Sequence, residues 1–229
     1  MIPHLNENTV SIPLGKKIIQ GDLTVPAEAK GAVIFAHGSG SSRLSPRNKY
    51  VAEVLNHANL ATLLIDLLTP DEEQIDMQTA HLRFDIAMLA ERLAGAAEWL
   101  TQLPASRDLR IGCFGASTGG GAALLTAAQR PDLVDAVVSR GGRPDLAGPA
   151  LPRVKAPTLL IVGERDYPVI RMNETAFAQL QCEKRLEIVP GATHLFEEPG
   201  ALEQVAHLAR DWFSHYLSPG FQQRTVGNP

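Results

Sequence analysis

The chain has only two cysteines in 229 residues, so neither a disulfide framework nor a thiolate metal cluster can organise it. Cys113 stands in an apolar run and Cys182 among charged residues. That usage fits a reducing compartment, and the expected location is the cytoplasm. Long hydrophobic runs are missing too: nowhere do about 18 apolar residues stand together, and the first ten residues lack a basic segment followed by an apolar one. Neither a membrane partner nor export by a signal peptide is expected. Positive charge is also scarce. With 21 Lys+Arg against 25 Asp+Glu the net charge is -4, the wrong sign for a protein that neutralises phosphate backbones, so no nucleic-acid partner is expected.

What remains is close to the average composition of a soluble globular protein: 45% apolar residues, enough to build a core, and 20% charged. The length suits one α/β domain over 1–229, with a core at about 31–217, an N-terminal β-hairpin at 9–25 and a loosely held tail at 218–229. In the core, short apolar strands alternate with helical periods. Strands are expected at Ala32–Ala36, Ala61–Ile65, Leu109–Phe114, Leu133–Ser139, Thr158–Val162 and Arg185–Val189. Leu82, Ile86, Leu89, Leu93, Ala97, Leu100 and Leu103 recur every three or four residues and predict one long helix. Further helices are expected from Ser45-Pro46, after Phe114, near Val169–Gln181 and at Leu202–Leu217. Strands joined through helices must pair in parallel, because a tight turn cannot connect parallel neighbours. The fold class is therefore α/β: a three-layer sandwich around a mostly parallel sheet of about eight strands. The Gly- and Pro-rich segment 141–152 is too short for a lid domain.

Chemistry concentrates at Gly115-Ala116-Ser117-Thr118-Gly119, a G-x-S-x-G pattern between a strand and a helix. Such a turn forces the serine into strained geometry and lifts its hydroxyl above the carboxyl end of the sheet, beside a helix N-terminus that favours negative charge. A serine hydroxyl needs a base, and the base an orienting acid. His194, between a strand and the last helix, is the candidate base, and Asp166 in Gly163-Glu164-Arg165-Asp166 the candidate acid, with Glu164 its rival. The order Ser117, Asp166, His194 differs from the alternative His37, Asp66, Ser117, which belongs to another hydrolase class. Two backbone N–H groups should face a developing oxyanion; Thr118 and Ser39 are the candidates. Gly38-x-Gly40 also imitates a dinucleotide fingerprint, but Arg43 stands where the third glycine belongs and Pro46 delays the helix.

On these motifs (His37-Gly38-Ser39-Gly40, Gly115–Gly121, Gly163–Asp166 and Gly191–His194) the chain resembles the α/β-hydrolase superfamily, and within it the small, lidless, dienelactone hydrolase-like esterases. The resemblance spans about Gly31 to Leu217. It implies a Ser-His-Asp hydrolase of small esters carried by Ser117, His194 and Asp166, needing no metal and no organic cofactor. One departure is marked: true dienelactone hydrolases use a cysteine nucleophile, and here the elbow carries Ser117. A carboxylesterase is expected, with lactonase, thioesterase, small-peptide hydrolase and a non-catalytic binding scaffold as alternatives. Arg140 and Arg143, flanking Gly141-Gly142 at the same sheet edge, could grip a substrate carboxylate by paired donors or be exposed structural arginines. Asp71, Glu72, Glu73 and Asp76 read as an acidic, solvated loop.

Overall fold

A computed structural model describes residues 7–220. An eight-stranded sheet runs in the spatial order β1-β2-β4-β3-β5-β6-β7-β8. Its strands are β1 (Glu7–Leu14), β2 (Lys17–Thr24), β3 (Gly31–Ala36), β4 (Leu60–Ile65), β5 (Ile111–Ala116), β6 (Ala136–Arg140), β7 (Thr158–Gly163) and β8 (Lys184–Val189). The β1–β2 hairpin is antiparallel and β2 joins β4 antiparallel, while β4, β3, β5, β6, β7 and β8 pair in parallel. β3, β4, β5, β6 and β7 are buried along their whole length, as strands covered by helices on both faces must be.

The helices are α1 (Pro46–His57), α2 (Pro70–Thr79), α3 (Ile86–Gln102), α4 (Thr118–Gln129), α5 (Tyr167–Gln179) and α6 (Ala201–Tyr216). α1 and α6 cover one face of the sheet, where Val51, Leu55, Val205, Ala209 and Phe213 bury against Phe35, Phe114 and Ile161. Leu89, Leu93, Leu124 and Ala127 of α3 and α4 cover the other face, against Ile34, Cys113 and Val137. Residues 144–153 form tight helical turns packed beside α4, not an inserted lid.

Local chemistry shifts several boundaries. The long apolar period does not begin at Leu82: Leu82–Phe84 is a short 3₁₀ turn, and Asp85 accepts the Met88 N–H as the cap that starts α3 at Ile86. The acidic stretch is no loop. Thr69 and Glu72 form a reciprocal capping box that starts α2, and Glu72 and Asp76 are buried in ion pairs with Lys17 and Arg92, and with Arg83. β5 and β6 begin later than expected, at Ile111 and Ala136. The Asp135 carboxylate caps the start of β5, accepting from the Ile111 N–H and from Arg110. Of the expected tail, residues 221–229 lie outside the described part of the chain.

Candidate active site

The end of β5 and the start of α4 meet at Ser117, whose backbone has φ +51° and ψ -119°. A non-glycine residue there is strained by about 1–3 kcal/mol and persists only when its surroundings enforce it. They do: the Ser117 N–H donates to the Arg140 carbonyl at 3.2 Å, and its carbonyl accepts from the Arg143 N–H at 2.9 Å. The flanking glycines are sterically required. A Cβ on Gly115 would lie 2.3 Å from the Gly119 carbonyl oxygen, and one on Gly119 would lie 2.2 Å from that of Ala36.

His194 and Asp166 come from loops that follow β8 and β7. His194 Nδ1 stands 2.6 Å from Asp166 Oδ2. The acid is shielded, at 12% side-chain exposure, whereas the imidazole is 40% exposed and free to face solvent or substrate. Gly163 lets the two loops touch, since a Cβ there would meet the Ala192 and Thr193 carbonyls at 2.5 and 2.6 Å. The Arg165 N–H then donates to the Ala192 carbonyl. Glu164, the rival acid, accepts the Gly191 N–H at 2.7 Å and so braces the histidine loop instead of the imidazole. Ser117 and His194 line one cavity of about 270 Å³, together with Gly38, Ser39, Asn48 and Arg140.

His37 is not placed to serve Ser117. Its Nε2 accepts the Leu67 N–H at 3.1 Å, so in the neutral ring the proton sits on Nδ1, 2.9 Å from the Gly38 carbonyl it donates to. Burial lowers its pKa, against the raising effects of that Gly38 bond and of Asp66 and Glu73. Asp66 is engaged elsewhere, accepting from the Arg43 backbone N–H and guanidinium, which also removes it from a nucleotide-binding role. His37 thus pins the loop that carries Ser39, one of the two oxyanion candidates. In that loop the Ser39 N–H donates to Thr118 Oγ1 at 3.0 Å, tying the two candidate donors to each other. Thr118 opens α4, where first-turn N–H groups have no partner within the helix.

The two arginines separate. Arg143 forks onto Asp145 at 2.7 and 2.9 Å on the surface and does not line the Ser117 cavity. Arg140 is not exposed but buried, at 7%, and does line it. Sequence reasoning missed Asn48 and Arg47, which reach the same cavity from the first turn of α1. The only signal for them was the Ser45-Pro46 helix start, which says where a helix begins but not what its end faces. A second cavity, of about 330 Å³, adjoins across the 38–41 loop and is lined by Leu67, Leu68, Met77 and Leu89 among others.

A mostly parallel sheet carrying a strained serine elbow, with histidine and aspartate on later loops, defines an α/β-hydrolase-type protein. The chain belongs to the Dienelactone hydrolase family, whose pattern it matches over residues 25–218. A solved dienelactone hydrolase from Anabaena variabilis is 65% identical, covering 93% of this chain and 99% of that one, with a TM-score of 0.91. Two curated relatives from Mycobacterium tuberculosis strains, which carry the provisional name of phosphoribosyl transferase, are 56% identical over 219 residues, or 95% of this chain. The chain spans about half, 48%, of the length of those relatives. Est1E from Butyrivibrio proteoclasticus shares the fold at 16% identity, covering 90% of this chain and 97% of its own, with a TM-score of 0.75.

Proposed function

We propose that this chain is a serine hydrolase of small carboxylic esters working through an acyl-enzyme. The observation that carries the reading is the 2.6 Å contact between His194 Nδ1 and Asp166 Oδ2 in a site whose cavity also holds the strained Ser117. In the first step His194 Nε2 takes the Ser117 proton as Oγ attacks the ester carbonyl. Asp166 holds the ring with Nδ1–H toward it and stabilises the imidazolium. The carbonyl oxygen gains negative charge and is met by the Thr118 N–H and, once it exchanges Thr118 Oγ1 for substrate, by the Ser39 N–H; one such donor is worth roughly 3 to 4 kcal/mol. His194 returns the proton to the leaving alcohol. Water, deprotonated by the same histidine, then releases the acid and restores Ser117.

A cavity of about 270 Å³ favours short acyl groups. Lactones and thioesters present the same electrophile, so a panel of esters, lactones and thioesters tests the substrate class. Hydrolysis by the wild type and none by Ser117→Ala supports the reading. Equal turnover by both sinks it, and no turnover by either favours the binding-scaffold alternative. The transferase name of the mycobacterial relatives draws no support from the Ser117 site, whose parts are those of acyl transfer. A cytoplasmic location remains part of the proposal. It rests on two unpaired cysteines, Cys113 buried with its thiol pushed up to about 12 by burial, and Cys182 half-buried. No helix among the described residues is long and apolar enough to cross a membrane.

A further inference from the structure

Arg140 ends β6 as a buried guanidinium, and among the described residues no carboxylate pairs with it. Its Nη2 reaches Asn48 Oδ1 at a long 3.4 Å, its Nε is buried without any hydrogen-bond partner, and its Cζ stands 5.8 Å from the centroid of the Phe196 ring. Burying a cation without an acid is costly, and protein interiors avoid it unless something else is meant to complete the pair. Burial, with the neighbouring Arg47 cation adding to it, pushes the Arg140 pKa down to about 10. It is still charged at neutral pH.

The surroundings are arranged for an anion. Arg140 lines the cavity that holds Ser117 and His194, and so do Ser45, Arg47 and Asn48 from the N-terminal end of the twelve-residue helix α1. That end carries partial positive charge. Arg47 adds a second guanidinium, its Nη1 paired with exposed Glu197 at 3.1 Å and its Nε buried and unpartnered. Two guanidinium groups, an amide and a helix N-terminus thus line the cavity that holds the serine, while exposed Glu197 pairs with Arg47 and Asp166 is taken up by His194.

We propose that Arg140, with Arg47 and Asn48, forms an oxyanion-recognition subsite beside Ser117, so that the preferred substrates are esters carrying a second, anionic group, a carboxylate or a phosphate. This rests on the hydrolase reading above and narrows it. The anion takes the place of the missing acid, and its fixed distance from the guanidinium sets which ester carbonyl is presented to Ser117 Oγ.

The test uses three ethyl esters with the same leaving alcohol: neutral ethyl butyrate, monoethyl succinate, and ethyl 3-phosphonopropanoate. The wild type is expected to favour one or both anionic esters over ethyl butyrate by tenfold or more in kcat/KM. Arg140→Met should bring that ratio to near one, Arg47→Gln should lower it in part, and Arg143→Met should leave it unchanged. The preferred ester tells carboxylate from phosphate. A ratio near one in a wild type that cleaves ethyl butyrate overturns the subsite, as does a ratio untouched by both variants. If the wild type cleaves none of the three, the hydrolase reading fails. The subsite is then judged by calorimetric titration of the Ser117→Ala protein with the two anionic esters, where Arg140→Met is expected to weaken binding at least tenfold. Absence of binding, or binding indifferent to both arginines, overturns it. Should Arg140→Met not fold, Arg47→Gln and the titration decide.

Discussion

Gly119 lies directly against Ala36, so close that a methyl group on the glycine would sit 2.2 Å from the alanine's carbonyl oxygen and 2.7 Å from that of His37. Both obstacles are backbone of β3 and the loop after it, which cannot turn aside as a side chain can. Gly119→Ala is expected to cost at least about 2 kcal/mol through overpacking and to displace the elbow. Gly191→Ala offers the contrast: its φ is +69° with no atom within 4 Å of the added carbon, so it costs about 1 kcal/mol from backbone strain alone. Urea unfolding of both variants, with phosphonate labelling of Ser117, checks the ranking. A Gly119→Ala protein as stable and as readily labelled as the wild type would contradict it.

Asp166 and Glu164 are separable by kinetics. Asp166→Asn is expected to lower kcat about ten-thousand-fold, because the amide can turn its N–H2 toward Nδ1 and hold His194 in the unproductive tautomer, and it carries no charge to stabilise the imidazolium. Glu164→Gln keeps an oxygen for the Gly191 N–H and should stay within a few-fold of the wild type. The reverse ranking would make Glu164 the orienting acid.

His37 gives stability a pH dependence of known sign. Its native pKa is below the ordinary 6.5, chiefly through burial, so the unfolded chain binds more protons than the folded one. The stability it supports is fully present above about pH 6.5 and is lost as the pH falls toward the native pKa. Protonation also removes the acceptor for the Leu67 N–H. His37→Gln, which keeps a donor and an acceptor without titrating, is expected to flatten the loss between pH 7.5 and 5 in urea titrations. Parallel slopes for the two proteins would exclude His37 as the source.

Glu72 of α2 is a buried carboxylate held between Arg92 and Lys17. Burial raises its pKa, but bonds from Arg92, Lys17 and the Thr69 N–H outweigh that and hold it at about 2. Its contribution is therefore present above about pH 4.5 and lost as the pH falls toward 2. Glu72→Gln is expected to cost about 3–5 kcal/mol at neutral pH, because Arg92 is left buried and unpaired. Lys17→Met, removing a half-exposed partner, should cost no more than about 1 kcal/mol. Denaturant midpoints measure both, and equal costs would mean that the buried arginine finds another acceptor.

Much of this was legible from periodicity and turn chemistry. Short apolar runs separated by helical periods fit strands of a parallel sheet covered on both faces, and that is where β3, β4, β5 and β7 lie. The glycine pattern around Ser117 located the elbow because only close backbone approach demands those residues. Capping was the weak point. Thr69-Pro70-Asp71-Glu72 spells a helix start, yet its density of acids suggested a solvated loop until Arg92 and Lys17, distant in sequence, supplied the countercharge. Asp85 was hidden within an apolar period that ran through it. Arg140 and Arg143 are alike in sequence context and opposite in fate, since Asp145 lies within reach of one only. Pairing across space leaves no local trace.

The braces on Ser117 also carry a meaning for the making of the protein. Its amide and carbonyl are held by Arg140 and Arg143, which leave the ribosome after it, and His194 follows later still. A chain halted after α4 already holds the serine motif and the β3 backbone that Gly119 packs against, but not the carbonyl and the amide that pin Ser117 itself. The strained geometry of Ser117 is therefore completed only by β6 and the loop after it, elements that are made later than the motif they hold.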